Sequence, residues 1–328
     1  MKKIIIGILV LIQIGCSTAR KAQTSPFTEQ KGKAESPSEV MGPPLPPSQE
    51  PASQSLQQDQ TSPQAHEEAY GPAPVTTKPI VLVLGPGLAK GFAYAGVFQA
   101  LKDAKIPVAA VLGAEMGAFV GALYAVHSNI NQFEWALMKF KEELFEKKSG
   151  FLLKATEEPS DGVAFKAQLT QIFGNKDIRD FKIPMRIAVQ YQGSSKPSLI
   201  EHGNAVEVLR AAMANPQLFT PGNIEEEGLN GQSIPATSAF HSRSFLIHEA
   251  KLLNLGPVVA VNIGAQSSSE LQDADLVVHA DLGNIGDKEF QKRASAIFRG
   301  KSAVVRKLSE IKQLVFGANQ KGVTSLEQ

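Results

Sequence analysis

Two glycine-bracketed turns hold the groups that could do chemistry. Gly113-Ala114-Glu115-Met116-Gly117 follows an apolar run, Pro107–Leu112, and precedes a segment with helical spacing. A Gly-x-x-x-Gly turn between a strand and a helix has the geometry of a nucleophile elbow. Its central side chain, here Glu115, is pushed out at the top of a sheet. The next backbone N–H, that of Met116, faces the reacting centre with the helix N-terminus behind it. The second turn, Gly85-Pro86-Gly87-Leu88-Ala89-Lys90-Gly91, follows the apolar run Ile80–Leu84. On an adjacent strand it would aim further N–H groups at the same point. Gly85, Gly87, Leu88, Lys90, Gly91 and Met116 are therefore candidate oxyanion-hole positions, and Gly113 and Gly117 frame the elbow. The glycine loop fits no nucleotide pattern. The third glycine of a dinucleotide loop would fall at Lys90, and no Lys-Ser or Lys-Thr completes a phosphate loop.

These turns need a scaffold. Ile80–Leu84 and Pro107–Leu112 are short and rich in β-branched residues, so they read as buried strands. Helical spacing follows each turn, through Ala95, Val97, Phe98 and Leu101, then through Phe119, Val120, Leu123 and Tyr124. Strand, glycine loop, helix, strand, glycine turn and helix open a mainly parallel sheet. Further strands are predicted at Met185–Gln190, Val258–Ile263 and Asp275–Ala280. Helices are predicted around 131–145, 164–173, 205–214 and 245–253, with one long amphipathic helix from Asp287 to Phe316. The expected class is α/β, with three layers and a mainly parallel central sheet covered by helices on both faces.

The segments outside this domain have their own signatures. Lys2 and Lys3 precede an apolar run, Ile4–Ile12, which is shorter than the roughly 20 residues that span a bilayer and suits a signal peptide. The run leads into Gln13-Ile14-Gly15-Cys16, which resembles the lipobox of bacterial lipoproteins, although leucine is usual where Gln13 stands. That resemblance implies lipidation at Cys16, the sole cysteine. It also implies a cell-envelope location, and Ser17 after the cysteine leans toward the outer membrane, periplasmic side. Residues 17–78 read as a tether: eleven of the twenty prolines fall between Pro26 and Pro79, and Gln, Ser, Thr and Glu fill most of the rest. Such a composition buries too little apolar surface to offset chain entropy. A coil of that length spans about 40 Å. The expected organisation is signal peptide 1–16, tether 17–78, α/β domain 79–316 and tail 317–328.

The motifs together resemble the patatin-like phospholipase family over about 79–285. Its glycine loop ends in a basic residue and glycine, as in Lys90-Gly91. Its elbow, Gly-x-Ser-x-Gly, matches Gly113–Gly117 except at Glu115. Gly121-Ala122-Leu123-Tyr124-Ala125 and Ala211–Pro221 match later segments. The resemblance implies a Ser–Asp dyad with serine at position 115. It places aspartate at Glu227, eight residues before Pro235, or at Asn230 in another register. Both positions of the dyad are then altered. A carboxylate attacking an ester would form a mixed anhydride that collapses back, and it has no proton for a base to remove. Four readings of Glu115 follow. It could fill the donors meant for an oxyanion, attack an sp³ carbon, pair with Glu227 as acid and base, or cede the site to a serine such as Ser233, Ser238 or Ser242.

Composition narrows the partners. A net charge of +1 over 328 residues gives no footprint for nucleic acid. The six histidines (His66, His127, His202, His241, His248 and His279) show no metal-ligand spacing, so neither a metal nor a cofactor is expected. Between 287 and 316, eight Lys/Arg face three acids, a pattern that suits a solvated face or anionic lipid heads. The expectation is a membrane-tethered pseudo-hydrolase that binds a lipid, a fatty acid or a protein partner. The alternatives are an active lipid acyl hydrolase with a displaced nucleophile, and an envelope interaction protein that uses the Pro-rich tether.

Overall fold

The computed structural model describes residues 77–127, 129–140, 144, 159–225, 232–264 and 268–317. Cys16, nearly all of the tether, Glu227 and Asn230 lie outside the described residues, as does most of the 317–328 tail. The strands are β1 (Ile80–Leu84), β2 (Val108–Ala114), β3 (Met185–Tyr191), β4 (Ser198–Ile200), β5 (Gly222–Glu225), β6 (Ser233–Ser238), β7 (Val258–Asn262) and β8 (Leu276–His279). They form one sheet in the order β5-β6-β3-β2-β1-β7-β8, with β4 also paired to β3. β3, β2, β1, β7 and β8 run parallel, and the β3–β4, β3–β6 and β5–β6 pairs are antiparallel.

β1 is buried along its whole length, as a central parallel strand must be. Its side chains alternate. Ile80, Leu82 and Leu84 enter the larger core, and Val81 and Val83 enter the smaller one on the opposite face. The smaller core is closed by Leu246, Ile247 and Ala250 of α6 (Arg243–Leu252). The larger core lies under α1 (Ala93–Asp103), α2 (Met116–His127), α3 (Ile130–Lys139), α4 (Val163–Phe173) and α5 (Ala205–Ala212), together with α7 (Arg293–Arg306) and α8 (Leu308–Phe316). Helices thus cover both faces, as the strand pattern predicts. α2 is buried from Met116 to Val126, which explains why it is apolar all round rather than striped.

Three findings depart from the sequence reading. The antiparallel strands β4, β5 and β6 were not anticipated, because they are short and carry polar residues such as Asn223, Glu225 and Thr237. β6 even contains Pro235, which sheets accept only toward an edge. The long C-terminal helix is two helices. After a 3₁₀ turn at Phe290–Lys292, α7 ends at Arg306, and Lys307 adopts φ −104° and ψ 8°. The break redirects Ile311 and Val315 into the core, where the Val315 carbonyl accepts from the Lys78 N–H at 2.8 Å. The helix predicted around 131–145 is assigned only as far as Lys139.

α1 and α7 meet backbone to backbone. A Cβ on Gly96 would lie 1.8 Å from the Ile297 carbonyl oxygen, and one on Gly300 would lie 1.9 Å from that of Ala93. Gly→Ala in a helix gains about 0.5–1 kcal/mol from propensity, whereas overpacking costs about 1–3 kcal/mol. Here the neighbour is backbone and cannot move aside. Gly300→Ala is therefore expected to destabilise the domain by at least about 1 kcal/mol in urea unfolding, although alanine is the best helix former. A stabilised variant would contradict the contact.

Candidate active site

The elbow sits where β2 hands over to α2. Glu115 has φ 50°, in the left-handed region that costs a non-glycine residue about 1 kcal/mol or more. Its carbonyl accepts the first helical bond from the Phe119 N–H at 3.0 Å, so Glu115 caps α2. The flanking glycines make this turn sterically feasible. A Cβ on Gly113 would lie 2.7 Å from the backbone of Ala118, and one on Gly117 would lie 2.2 Å from the Leu84 carbonyl oxygen. The glycine loop is pressed against the elbow in the same way, since a Cβ on Gly91 would fall 2.3 Å from the Met116 Cβ.

The Glu115 side chain is only 1% exposed and turns toward the glycine loop. Its Oε2 accepts from the backbone N–H groups of Gly87 (2.6 Å) and Leu88 (2.7 Å). Its Oε1 accepts from the Asn215 Nδ2 at 2.5 Å. Asn215 follows α5, and its own Oδ1 accepts from the Gln217 N–H at 2.9 Å, which fixes its amide with the donor end toward Glu115. Leu88 has φ 46°, a second left-handed residue, which helps both N–H groups aim at one oxygen.

The remaining glycine-loop candidates play other parts. The Lys90 N–H is used inside the 3₁₀ turn Leu88–Phe92, on the Gly87 carbonyl, and its ammonium pairs with Asp287 at 2.7 Å. The Gly85 carbonyl accepts from the Tyr94 hydroxyl at 2.8 Å. The carboxylate is thus gripped by Gly87, Leu88 and Asn215. Among the elbow and loop candidates the structure brings Glu115, Gly87 and Leu88 into direct contact, and Gly85, Gly91, Met116 and Gly117 form the packed shell around them. Glu227 and Asn230 fall in the undescribed stretch 226–231, between β5 and β6.

Three residues of this site escaped the sequence reading. Asn215 lies 100 positions from Glu115, a separation no local pattern encodes. Arg243, at the start of α6, donates to the Pro86 carbonyl at 2.8 Å and lies against the Cα of Gly85. Tyr94 is fully buried beneath the loop. Burial holds its phenol well above the ordinary value of 10.0; nearby Arg243 pulls against this and the Glu115 charge adds to it. Above the elbow is a cleft of about 420 Å³, lined among others by Glu115, Asn215, Gln217, His241, Arg243 and Lys90. Among the described residues no group of three His, Cys, Asp or Glu could hold a metal.

Two outcomes are expected from this geometry. Glu115→Gln is isosteric, yet it must turn an amide N–H toward either the loop donors or Asn215. Leaving a buried donor unsatisfied costs about 1–3 kcal/mol, so denaturant unfolding should show a loss of that size. No loss would mean that the three bonds are not formed together. For Tyr94, the raised folded-state value means the folded chain keeps a proton that the unfolded chain loses above pH 10. Stability should therefore fall as pH rises beyond that point. Comparing unfolding at about pH 9 and about pH 11, Tyr94→Phe should show a smaller fall than the parent.

A family model described as patatin-like phospholipase matches residues 82–237, from β1 to β6. A stretch of 194 residues is 30% identical to lysophospholipase NTE1 of Chaetomium globosum, covering 57% of this chain and 12% of that protein. Over 208 residues the chain is 27% identical to human patatin-like phospholipase domain-containing protein 6, covering 60% of this chain and 14% of that one. The matched stretch is thus a small part of these relatives. Among solved structures, VipD from Legionella pneumophila superposes with a TM-score of 0.47 at 13% identity, covering 71% of this chain and 67% of that one. The glycine loop and the elbow lie inside the family match, β7 and β8 lie beyond it, and the α/β domain of this chain belongs to the patatin-like phospholipase family.

Proposed function

We propose that this chain is a non-hydrolytic member of the family, held at a membrane through Cys16 and its tether, that binds lipid or a protein partner. One observation carries the reading: the Glu115 carboxylate accepts from Gly87, Leu88 and Asn215 at once. Acyl transfer needs donors waiting for a negative oxygen that develops only in the transition state. Here a side-chain oxygen already takes the two loop donors. It also needs a nucleophile that can lose a proton, and the elbow offers a carboxylate with both oxygens engaged as acceptors. The geometry therefore favours the first of the four readings of Glu115, self-occupation of the donor site. The cleft above it keeps room and polar groups for a ligand that is bound without being cut.

One relative is a lysophospholipase by name, which keeps an active acyl hydrolase as the second reading. That reading needs a serine other than one at the elbow. Ser242 is buried and donates to the Ala239 carbonyl, Ser238 is buried in β6, and Ser233 is exposed. None of the three is among the residues that line the cleft.

The purified chain is expected to show no turnover of p-nitrophenyl butyrate or lysophosphatidylcholine above buffer, and no serine labelled by a fluorophosphonate. Turnover in the parent that disappears in Glu115→Ala would overturn the proposal, as would a labelled serine. Introducing Glu115→Ser together with Glu227→Asp tests the shell separately. Activity that appears only in the double variant would show that the dyad alone had been lost.

A further inference from the structure

The outward face of the α3–α1–α7 layer has no role in the cleft, and it carries an unusual concentration of exposed apolar side chains. Trp135 is 60% exposed and Met138 71% on α3, and Phe298 is 71% exposed and Val305 58% on α7. These are four of the seven large apolar side chains exposed among the described residues. Phe298 and Val305 are seven positions apart, so they share one stripe of α7, opposite the Ala296, Gly300 and Val304 face that packs on α1. The three helices lie side by side. Gln99 of α1 donates to Glu134 of α3 at 2.7 Å, Lys301 of α7 pairs with Asp103 of α1 at 2.7 Å, and Arg293 donates to the Phe140 carbonyl at 3.0 Å.

Cations accompany the aromatic groups of this face. The Lys139 ammonium sits 3.3 Å from the centre of the Trp135 ring. By helical spacing on α7, Lys301 lies on one side of the Phe298–Val305 stripe, and Arg299 and Arg306 lie on the other, where each donates one N–H to a backbone carbonyl, of Asp281 and His279 respectively. The segment 287–316 holds eight Lys/Arg against three acids, in a chain whose whole net charge is only +1. An aromatic and aliphatic stripe with basic residues on both flanks is the pattern of a surface that lies in the headgroup region of an anionic bilayer. Its apolar groups enter the acyl boundary while long cationic side chains reach phosphates.

We infer that the outward face of α3, α1 and α7 docks on an anionic lipid surface, with Trp135, Met138, Phe298 and Val305 inserting and Lys139, Arg299 and Arg306 contacting phosphate. The face is distinct from the cleft, and the inference does not rest on the reading of Glu115. Trp135 is the single tryptophan of the chain, so its emission reports on this surface alone.

The test uses the full chain with Cys16→Ser, which removes acyl attachment. Vesicles of phosphatidylcholine with phosphatidylglycerol should sediment the protein, shift Trp135 emission to the blue and shield it from acrylamide, whereas phosphatidylcholine alone should not. Phe298→Ser should lower the partition coefficient on the order of tenfold. Neutralising Arg299→Gln or Arg306→Gln should lower it about fivefold each, and added salt should act in the same direction. Circular dichroism of each exposed-site variant should match the parent. Equal binding to both vesicle types, no emission shift, or variants that bind as well as the parent would overturn the inference. So would lipid-independent self-association that Phe298→Ser abolishes, because the face would then belong to a second copy.

Discussion

A single carboxylate joins three segments that are far apart in the chain. Glu115 stands on the turn after β2, its Oε2 is held by the loop after β1, and its Oε1 is held by Asn215 after α5. A buried carboxylate is tolerated only when hydrogen bonds replace the water it has lost. Here all three donors are fixed in place: two belong to a loop pressed against the elbow, and the third is oriented by Gln217. The geometry at the top of the sheet is therefore mutually dependent. The left-handed backbone at Glu115 and Leu88 is strain that these bonds offset.

Close packing around the elbow sets what the site can become. Gly113, Gly117 and Gly91 each bring backbone or a Cβ into space that any side chain would fill. Such a shell holds whatever side chain occupies position 115 at one place and one angle. With glutamate there, a side-chain oxygen already takes the Gly87 and Leu88 N–H groups. Arg243 and Tyr94 brace the same loop from beneath and beside it, one on the Pro86 carbonyl and the other on that of Gly85.

Much of this was legible in the residues. Parallel strands buried on both faces announce themselves as near-continuous apolar runs, as β1, β2 and β7 do, and the half-buried β3 and β8 were visible from shorter apolar stretches. The glycine spacing marked both turns because no other residue permits such close approach. Polar edge strands such as β5 gave no signal, since their side chains look like loop. The break at Lys307 was hidden because no glycine or proline marks it; packing demand at Ile311 and Val315 decides it. Asn215 could not be found as a partner of Glu115 because only the folded sheet brings them together. The segment around it, Ala211–Pro221, did stand out, but as a resemblance and without a role for the asparagine.

The glycine contact between α1 and α7 bears on how the chain is made. α1 is complete near residue 103, but the helix that covers it begins only at Arg293. Contacts between parts so distant in sequence close late and slowly. During synthesis, the side of α1 that carries Ala93 and Gly96 lacks this cover until the segment from Arg293 onward has emerged. The domain is thus closed by α7, and a product terminated before Arg293 would present a sticky, half-built layer to chaperones and proteases rather than a smaller version of the same fold.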